Sequence, residues 1–341
     1  MPDYARYVEV AKAAVAEACV VCRQVQSALD QVRSITKDDL SPVTVADFAS
    51  QAIIGRALRA ALGRGVILVA EETSHFLRGR EHDAHLTATL EAVSPVWPDA
   101  SADELLDAID VGAGDTHHGG FWTLDPIDGT KGFLRGQQYA VALAYVEHGE
   151  PTVGVLGCPN LSRDFSRPFD ERDERGSLYF AVRHEGLYEL PADDVGAVAV
   201  RVRRLDHASG EAISVCMSVE RAHSSERDTE RVLERVAAGG IPTGEPARLD
   251  SQCKYAVVGR GQADAYLRLP AKKGYVERIW DHAAGSLIAT EGGCFVTDIH
   301  GRALDFSHGR GLQKNVGIVC APPRVHGALI EAIDVLGIEA E

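Results

Sequence analysis

The stretch FWTLDPIDGTKGFL, residues 121–134, limits what this chain can be more than any other. A strand-like apolar run ends on Asp125. Pro126 fixes φ and removes a backbone donor, and Gly129, directly after Asp128, permits a tight or left-handed turn. The chain therefore doubles back at a strand end, and Asp125, Asp128 and the carbonyl of Ile127 can converge on a small volume. Two ionised carboxylates a few ångströms apart repel strongly. A hard divalent cation with oxygen ligands, Mg2+ especially, is the natural compensation. A solvated Asp-rich turn closed by an Asx-type hydrogen bond is the competing explanation, and an isolated DxxD does not choose between them.

More acids stand at comparable places. Glu71 and Glu72 directly follow the short run VILVA, a second carboxylate pair at an expected strand end. Asp281 follows RIW and opens an expected helix, and Asp47 opens another at TVADFASQ. One by one, the glutamates read as surface-loop residues and the two aspartates as helix caps. Together they form a plausible ligand set for two or more metal ions.

Hydrophobic periodicity supplies the frame around these acids. It predicts a long helix over 4–32, a polar loop over 34–51 with a Ser-Pro break, a helix over 46–62, and short helices at 84–93 and 102–109. Strands are expected at 65–70, 121–126, 139–149 and 151–159, with a hairpin over 176–190. Beyond it, helices near 225–238, 252–259, 281–290 and 323–335 alternate with strands near 212–218, 263–268, 294–297 and 316–320. The fold class is therefore α/β, with an α+β N-terminal half. Two domains are expected. Residues 1–158 would carry most of the acids, and 159–341 an α/β body with the last of them. The segment 160–176 reads as a solvent loop, and in the insert over 94–120 His117 and His118 lack the spacing of a metal site.

With 341 residues and 45% apolar content, a sizeable core is available. The net charge of −15 argues against a non-specific nucleic-acid face, which needs a basic surface. It does not exclude a small phosphorylated ligand, since a bound cation inverts the local field. No apolar run reaches the roughly 18–20 residues of a membrane helix. The N-terminal segment lacks signal-peptide order, so no membrane partner and a cytoplasmic location are expected. The seven cysteines read as reduced, mostly buried thiols, the Cys19–Cys22 CxxC included.

The motifs SPVTVADFASQ, VAEETS, LDPIDGTKGFLRG and IWDHAAGSLIATEGG, in this order and spanning nearly the whole chain, resemble the magnesium-dependent, lithium-sensitive phosphatase superfamily of inositol monophosphatase and fructose-1,6-bisphosphatase. GTKGFLRGQQYAVALA, GVLGCPNL, ERAHSS, LDSQCKYAVVGRGQADAYLRLP and YVERIWDHAAG are closer to its 3′(2′),5′-bisphosphate nucleotidase branch. The resemblance implies a layered α-β-α-β-α sandwich. It implies removal of the 3′-phosphate of adenosine 3′,5′-bisphosphate to give AMP, with 3′-phosphoadenosine 5′-phosphosulfate as a further substrate. Two to three Mg2+ ions, inhibition by Li+, a role in sulfur metabolism and a monomer or homodimer come with it.

Carried onto this chain, the resemblance implies that Glu71, Asp125 and the Ile127 carbonyl hold one metal. Asp125, Asp128 and Asp281 would hold the second. Asp47 and Thr130 would orient and deprotonate the attacking water. Thr130, His223, Ser251, Lys254, Arg268 and Asp281 would bind the nucleotide, and Glu72 would support the ligands from behind. An inositol bisphosphate or polyphosphate 1-phosphatase of the same fold and a non-catalytic nucleotide sensor are the alternatives. A dinucleotide-binding dehydrogenase is excluded by the lack of an early G-x-G-x-x-G. Neither a CxxxxxR phosphatase loop nor a GxSxG elbow is present.

Overall fold

A computed structural model of the chain describes residues 2–33, 42–116, 119–204, 210–219, 225–270 and 274–339. The chain opens with α1 (Tyr4–Arg33) and α2 (Pro42–Leu62), followed by β1 (Leu68–Ala70), α3 (Asp83–Val93) and α4 (Ala102–Ile109). Then come β2 (Phe121–Asp128), α5 (Thr130–Arg135), β3 (Ala140–Glu147), β4 (Glu150–Cys158), β5 (Ser177–Val182), β6 (Gly186–Pro191) and β7 (Val200–Arg201). The remainder is β8 (Val215–Met217), α6 (Glu226–Ala238), β9 (Ala247–Arg248), α7 (Cys253–Gly259), β10 (Ala265–Arg268), α8 (Ala283–Glu291), β11 (Phe295–Thr297), β12 (Ile318–Ala321) and α9 (Pro323–Leu336).

Among the described residues β1 to β7 form a seven-stranded sheet in chain order, and β11-β12-β10-β8-β9 a five-stranded one. The 158/159 division expected from the sequence falls between β4 and β5, which are neighbours in the first sheet; the change of sheet comes after Arg201. Three apolar layers hold the elements together, and β3 shows why. Its period of two sends Val141 and Leu143 to one face, against α1 and α2, and Ala140, Ala142 and Ala144 to the other. That second layer includes Ala284, Leu287 and Ile288 of α8 and Ala256 to Val258 of α7, together with Cys216, Tyr266 and Cys320 of the second sheet. The third layer joins Val215, Leu267 and Val319 to Val232 of α6 and Leu329 of α9. The order is α-β-α-β-α, as expected. Small residues let the middle layer close: a Cβ on Gly154 of β4 would stand 3.2 Å from the Ala284 carbonyl oxygen.

Two local expectations are corrected. The polar segment expected as loop to residue 51 turns helical at Pro42, where proline's fixed φ suits a first turn. Asp47 therefore lies inside α2 and caps nothing. Asp281 also caps nothing: the residue flanking α8 is His282, and no side chain caps that end. Elsewhere the signals act as read. Ser101 accepts from the Glu104 N–H while Glu104 reaches back to the Ser101 N–H, a capping box that starts α4.

Candidate active site

The acids meet because of a bulge. In a regular strand residues three apart face opposite sides. Between Asp125, paired with Ala142, and Asp128, paired with Ala140, β2 carries one residue more than β3. The extra residue falls where Pro126 cannot donate to the ladder, and it re-aims Asp128 to the side of Asp125. Asp125 Oδ1 accepts from the Ile127 N–H at 3.1 Å, so the Asx-type turn is present as well as the convergence. Gly129 then takes φ +88°, and a Cβ there would stand 2.8 Å from Ser251 Cβ. Glycine is what lets the acidic turn press against the loop before α7.

Glu71 comes from the neighbouring strand end. Ala70 lies opposite Leu124 in the parallel pairing of β1 with β2, and the Glu71 N–H donates to the Leu124 carbonyl at 3.3 Å. One face of α2 braces this junction. Ser50 Oγ donates to the Pro126 carbonyl at 2.9 Å, and Gln51 Nε2 to the Glu72 carbonyl at 2.7 Å. Asp47, one turn earlier on that face, is buried.

From the second half, the Gln252 N–H donates to Asp128 Oδ2. The Gln252 amide also bonds the Trp280 carbonyl and the Gly285 N–H, each at 2.9 Å, which ties the turn to the segment bearing Asp281. Glu71, Asp125, Ile127, Asp128, Thr130, Ser251, Lys254, Arg268 and Asp281 all line one cleft of about 730 Å3. Asp47 does not line it, and no hydrogen bond joins it to Thr130 among the described residues. Glu72 does not line it either. His223 lies outside the described residues, as do His117 and His118.

The acids perturb one another. Burial, then the charges of Glu71, Asp128, Asp281 and Asp47, pushes the Asp125 carboxyl well above its usual range. Burial, then Glu72 and Glu71, does the same to Asp47. Burial and the Asp128 charge raise Asp281. Glu71 keeps an accessible face toward the cleft, yet desolvation by the surrounding chain, with Glu72 and Asp128, pushes it up to about 7. Burial raises Asp128 too, against the pull of Lys254 and the Gln252 N–H.

This donor set fits a hard cation. It is all oxygen, and among the described residues no basic side chain forms an ion pair with Asp47, Glu71, Asp125, Asp128 or Asp281. Glu277, Asp281 and His282 also bring ligand atoms within 4.8 Å of one another. Both His282 nitrogens are already engaged, Nδ1 with Tyr255 Oη at 2.8 Å and Nε2 with Glu277 Oε2 at 3.2 Å, so this trio is a hydrogen-bond network beside the acids.

Two of the cations that line the cleft, Lys254 and Arg268, are held differently. Lys254 is buried, with Nζ 3.4 Å from the Leu249 carbonyl and 5.1 Å from the Tyr266 ring centroid; burial lowers its pKa, and Asp128 and Asp250 pull it back up. Arg268 Nε donates to Glu277 Oε1 at 2.7 Å. Gln252, Glu277, His282 and Tyr255 were missed by sequence reasoning. Only the closeness of Glu277 and His282 to Asp281 in the chain hinted at two of them.

Known proteins resemble this chain over nearly its whole length. The chain is 40% identical over 342 residues to a 3′(2′),5′-bisphosphate nucleotidase of Schizosaccharomyces pombe, covering 95% of this chain and 94% of that one. It is 38% identical over 352 residues to the enzyme of the same name from Emericella nidulans, covering 97% and 98%. Among solved structures, an inositol monophosphatase from Anabaena superposes with a TM-score of 0.60 at 17% identity, covering 99% and 98%, a likeness of fold. The model of the inositol monophosphatase family, whose members are in general metal-dependent, matches residues 3–336. The chain belongs to the inositol monophosphatase family.

Proposed function

We propose that this protein is a Mg2+-dependent phosphomonoesterase that hydrolyses the 3′-phosphate of adenosine 3′,5′-bisphosphate to AMP and phosphate, and accepts 3′-phosphoadenosine 5′-phosphosulfate. The observation that carries the reading is the gathering of Glu71, Asp125, Asp128 and Asp281 in the cleft that also holds Lys254 and Arg268. The acids suit cations, and Lys254 and Arg268 beside them suit a phosphate that is not cleaved. The relatives' names supply the substrate.

Glu71, Asp125, the Ile127 carbonyl, Asp128 and Asp281 would hold two to three Mg2+ ions, which supply charge neutralisation and activate water. Thr130, in the first turn of α5 and open to the cleft, orients the attacking water through its hydroxyl. Asp47, behind Glu71 and Glu72, is the proton acceptor at the far end of that relay. Glu72 supports Glu71 from the side away from the cleft. Lys254 offers a point charge and Arg268 a planar fork to the 5′-phosphate. Ser251 and His223 contact the ribose and base. Lithium competes for a magnesium position. Among the described residues no helix is long and apolar enough to cross a membrane; action in the cytoplasm on a small soluble nucleotide is part of the proposal.

The test is phosphate release by the purified full chain from adenosine 3′,5′-bisphosphate, 3′-phosphoadenosine 5′-phosphosulfate and inositol 1,4-bisphosphate, with Mg2+ or with chelator. Chelator-sensitive turnover and the highest kcat/KM on the nucleotides are expected. A higher kcat/KM on the inositol substrate would make this an inositol phosphatase, and nucleotide binding without turnover would make it a sensor.

A further inference from the structure

The phosphates and the metal ions use only part of the cleft. Its lining also includes Leu269, Pro270, Tyr275, Val276 and Val316, which have no part in phosphate chemistry, beside the polar Gln313 and Asn315. These residues are brought together by the second sheet. Arg268 ends β10 opposite Ile318 of β12, and a Cβ on Gly317 would stand 2.6 Å from the Arg268 carbonyl oxygen and 3.4 Å from Pro270 Cδ.

Tyr275 stands out in this lining. It is 55% exposed, and among the described residues the other exposed large aromatics, Phe295 at 54% and Phe165 at 36%, lie outside the cleft. Its ring is not loose. Arg268 Nη2 lies 3.4 Å from Tyr275 Oη, and the guanidinium carbon is 6.0 Å from the ring centroid. One edge of the ring is thus tethered to the cation that suits the uncleaved phosphate, while much of the ring stays open to solvent. Solvating half an aromatic side chain forgoes the stability its burial would give. A ligand that covers it recovers that free energy.

We propose that Tyr275 is the platform on which the substrate's nucleobase stacks, and that it selects a nucleotide over a phosphorylated polyol. This rests on the nucleotidase reading above. A base presents a π-face that an aromatic ring holds whatever its edge pattern, whereas a polyol presents only hydroxyl and C–H edges. A cleft of about 730 Å3 is of a size that encloses a ligand as large as a nucleotide.

The experiment compares kcat/KM of the full chain in Mg2+ for adenosine 3′,5′-bisphosphate and for its base-free counterpart, methyl ribofuranoside 3,5-bisphosphate. Wild type, Tyr275→Ala and Tyr275→Phe are each measured. The ratio of the two values falls roughly tenfold or more in Tyr275→Ala, the scale of one base–aromatic stack, and holds within about twofold in Tyr275→Phe. An unchanged ratio in Tyr275→Ala overturns the proposal. So does an equal fall in Tyr275→Phe, which would assign the effect to the hydroxyl beside Arg268. Failure of the nucleotidase reading shows separately, in wild type alone, as preference for inositol 1,4-bisphosphate over the nucleotide.

Discussion

Arg268 Nε donates to Glu277 Oε1 at 2.7 Å, and the other oxygen of the same carboxylate lies 3.2 Å from His282 Nε2. Glu277 is thereby clamped between a cation that lines the cleft and a histidine anchored by Tyr255. Burial would raise its pKa, but the hydrogen bonds and charges of His282 and Arg268 outweigh that and hold it down to about 2. A guanidinium with one N–H fixed this way has a settled plane, and its remaining donors are pre-aimed.

Glu277→Gln keeps the shape and removes the charge. KM for adenosine 3′,5′-bisphosphate is expected to rise roughly tenfold, the scale of weakening one charge-assisted hydrogen bond. Adenosine 3′-monophosphate, which lacks the second phosphate, should lose much less. Equal losses on the two substrates would mean that Glu277 supports the fold and not the aim of Arg268. A folded pKa below the unfolded one stabilises at high pH. The contribution of Glu277 is thus full above roughly pH 4.5 and lost as pH falls toward 2, and Glu277→Gln should flatten this part of the acid unfolding curve.

Asp47→Asn separates the proposed relay from metal binding. Asp47 is buried, does not line the cleft, and has its carboxyl raised by burial and by Glu72 and Glu71. If it accepts the proton passed by Thr130, kcat falls by about 10²–10⁴-fold, the usual worth of a general base, with KM little changed. The chelated variant should also melt higher than chelated wild type, because an amide replaces a charge that repels two neighbours. Unchanged kcat in steady-state assays would remove Asp47 from the chemistry.

How much of this was legible beforehand depends on how local each cause is. The turn at Asp125–Gly129 announces itself because Pro126 and Gly129 restrict backbone angles within five residues. The alternation in β3 is equally local, and it fixes two layers at once. Ser101 and Glu104 spell out their own helix start. Gln252 and Tyr255 gave no such signal. Each matters through a partner far along the chain or through a ring on another element, and nothing near Gln252 shows that its N–H meets Asp128, 124 residues away. Asp47 and Asp281 looked like caps because acids near helix starts usually are. Both helices start elsewhere, α2 at Pro42 and α8 after His282, and it was their shared place at element ends, and then the family resemblance, that joined these acids to the others.

The acidic cluster sets an opposite pH trend in the metal-free protein. Glu71 rises from 4.5 to about 7 in the fold. A carboxyl whose folded pKa is raised holds its proton more tightly in the native state, so stability falls as pH climbs from roughly 4.5 to 7. Asp125, Asp47 and Asp281 push the same way. Bound Mg2+ would relieve that repulsion and add its own linkage. Melting scans with chelator and with saturating Mg2+ should therefore diverge with pH, the gain in Tm on adding metal being larger at pH 7.5 than at pH 5. An equal gain at both would mean that the ion binds away from these acids.

Gly129→Ala tests the close approach that lets the two halves of the site meet. Gly129 sits at φ +88°, where a side chain costs about 1–2 kcal/mol. The added methyl would also stand 2.8 Å from Ser251 Cβ and 3.3 Å from the Ser251 N, contacts that relax only if the loop before α7 backs away. Ser251 is itself held at φ 70° and its neighbour Gln252 bonds Asp128, so the retreat would pull on the Gln252 N–H and with it on the aim of the second aspartate. Urea unfolding should show a loss of about 2 kcal/mol or more, the sum of strain and clash. Turnover should fall further than that loss explains, since the protein stays folded at the assay temperature while Asp128 is misplaced. A variant with wild-type kcat and only the stability loss would show that the Gly129–Ser251 contact serves the fold alone.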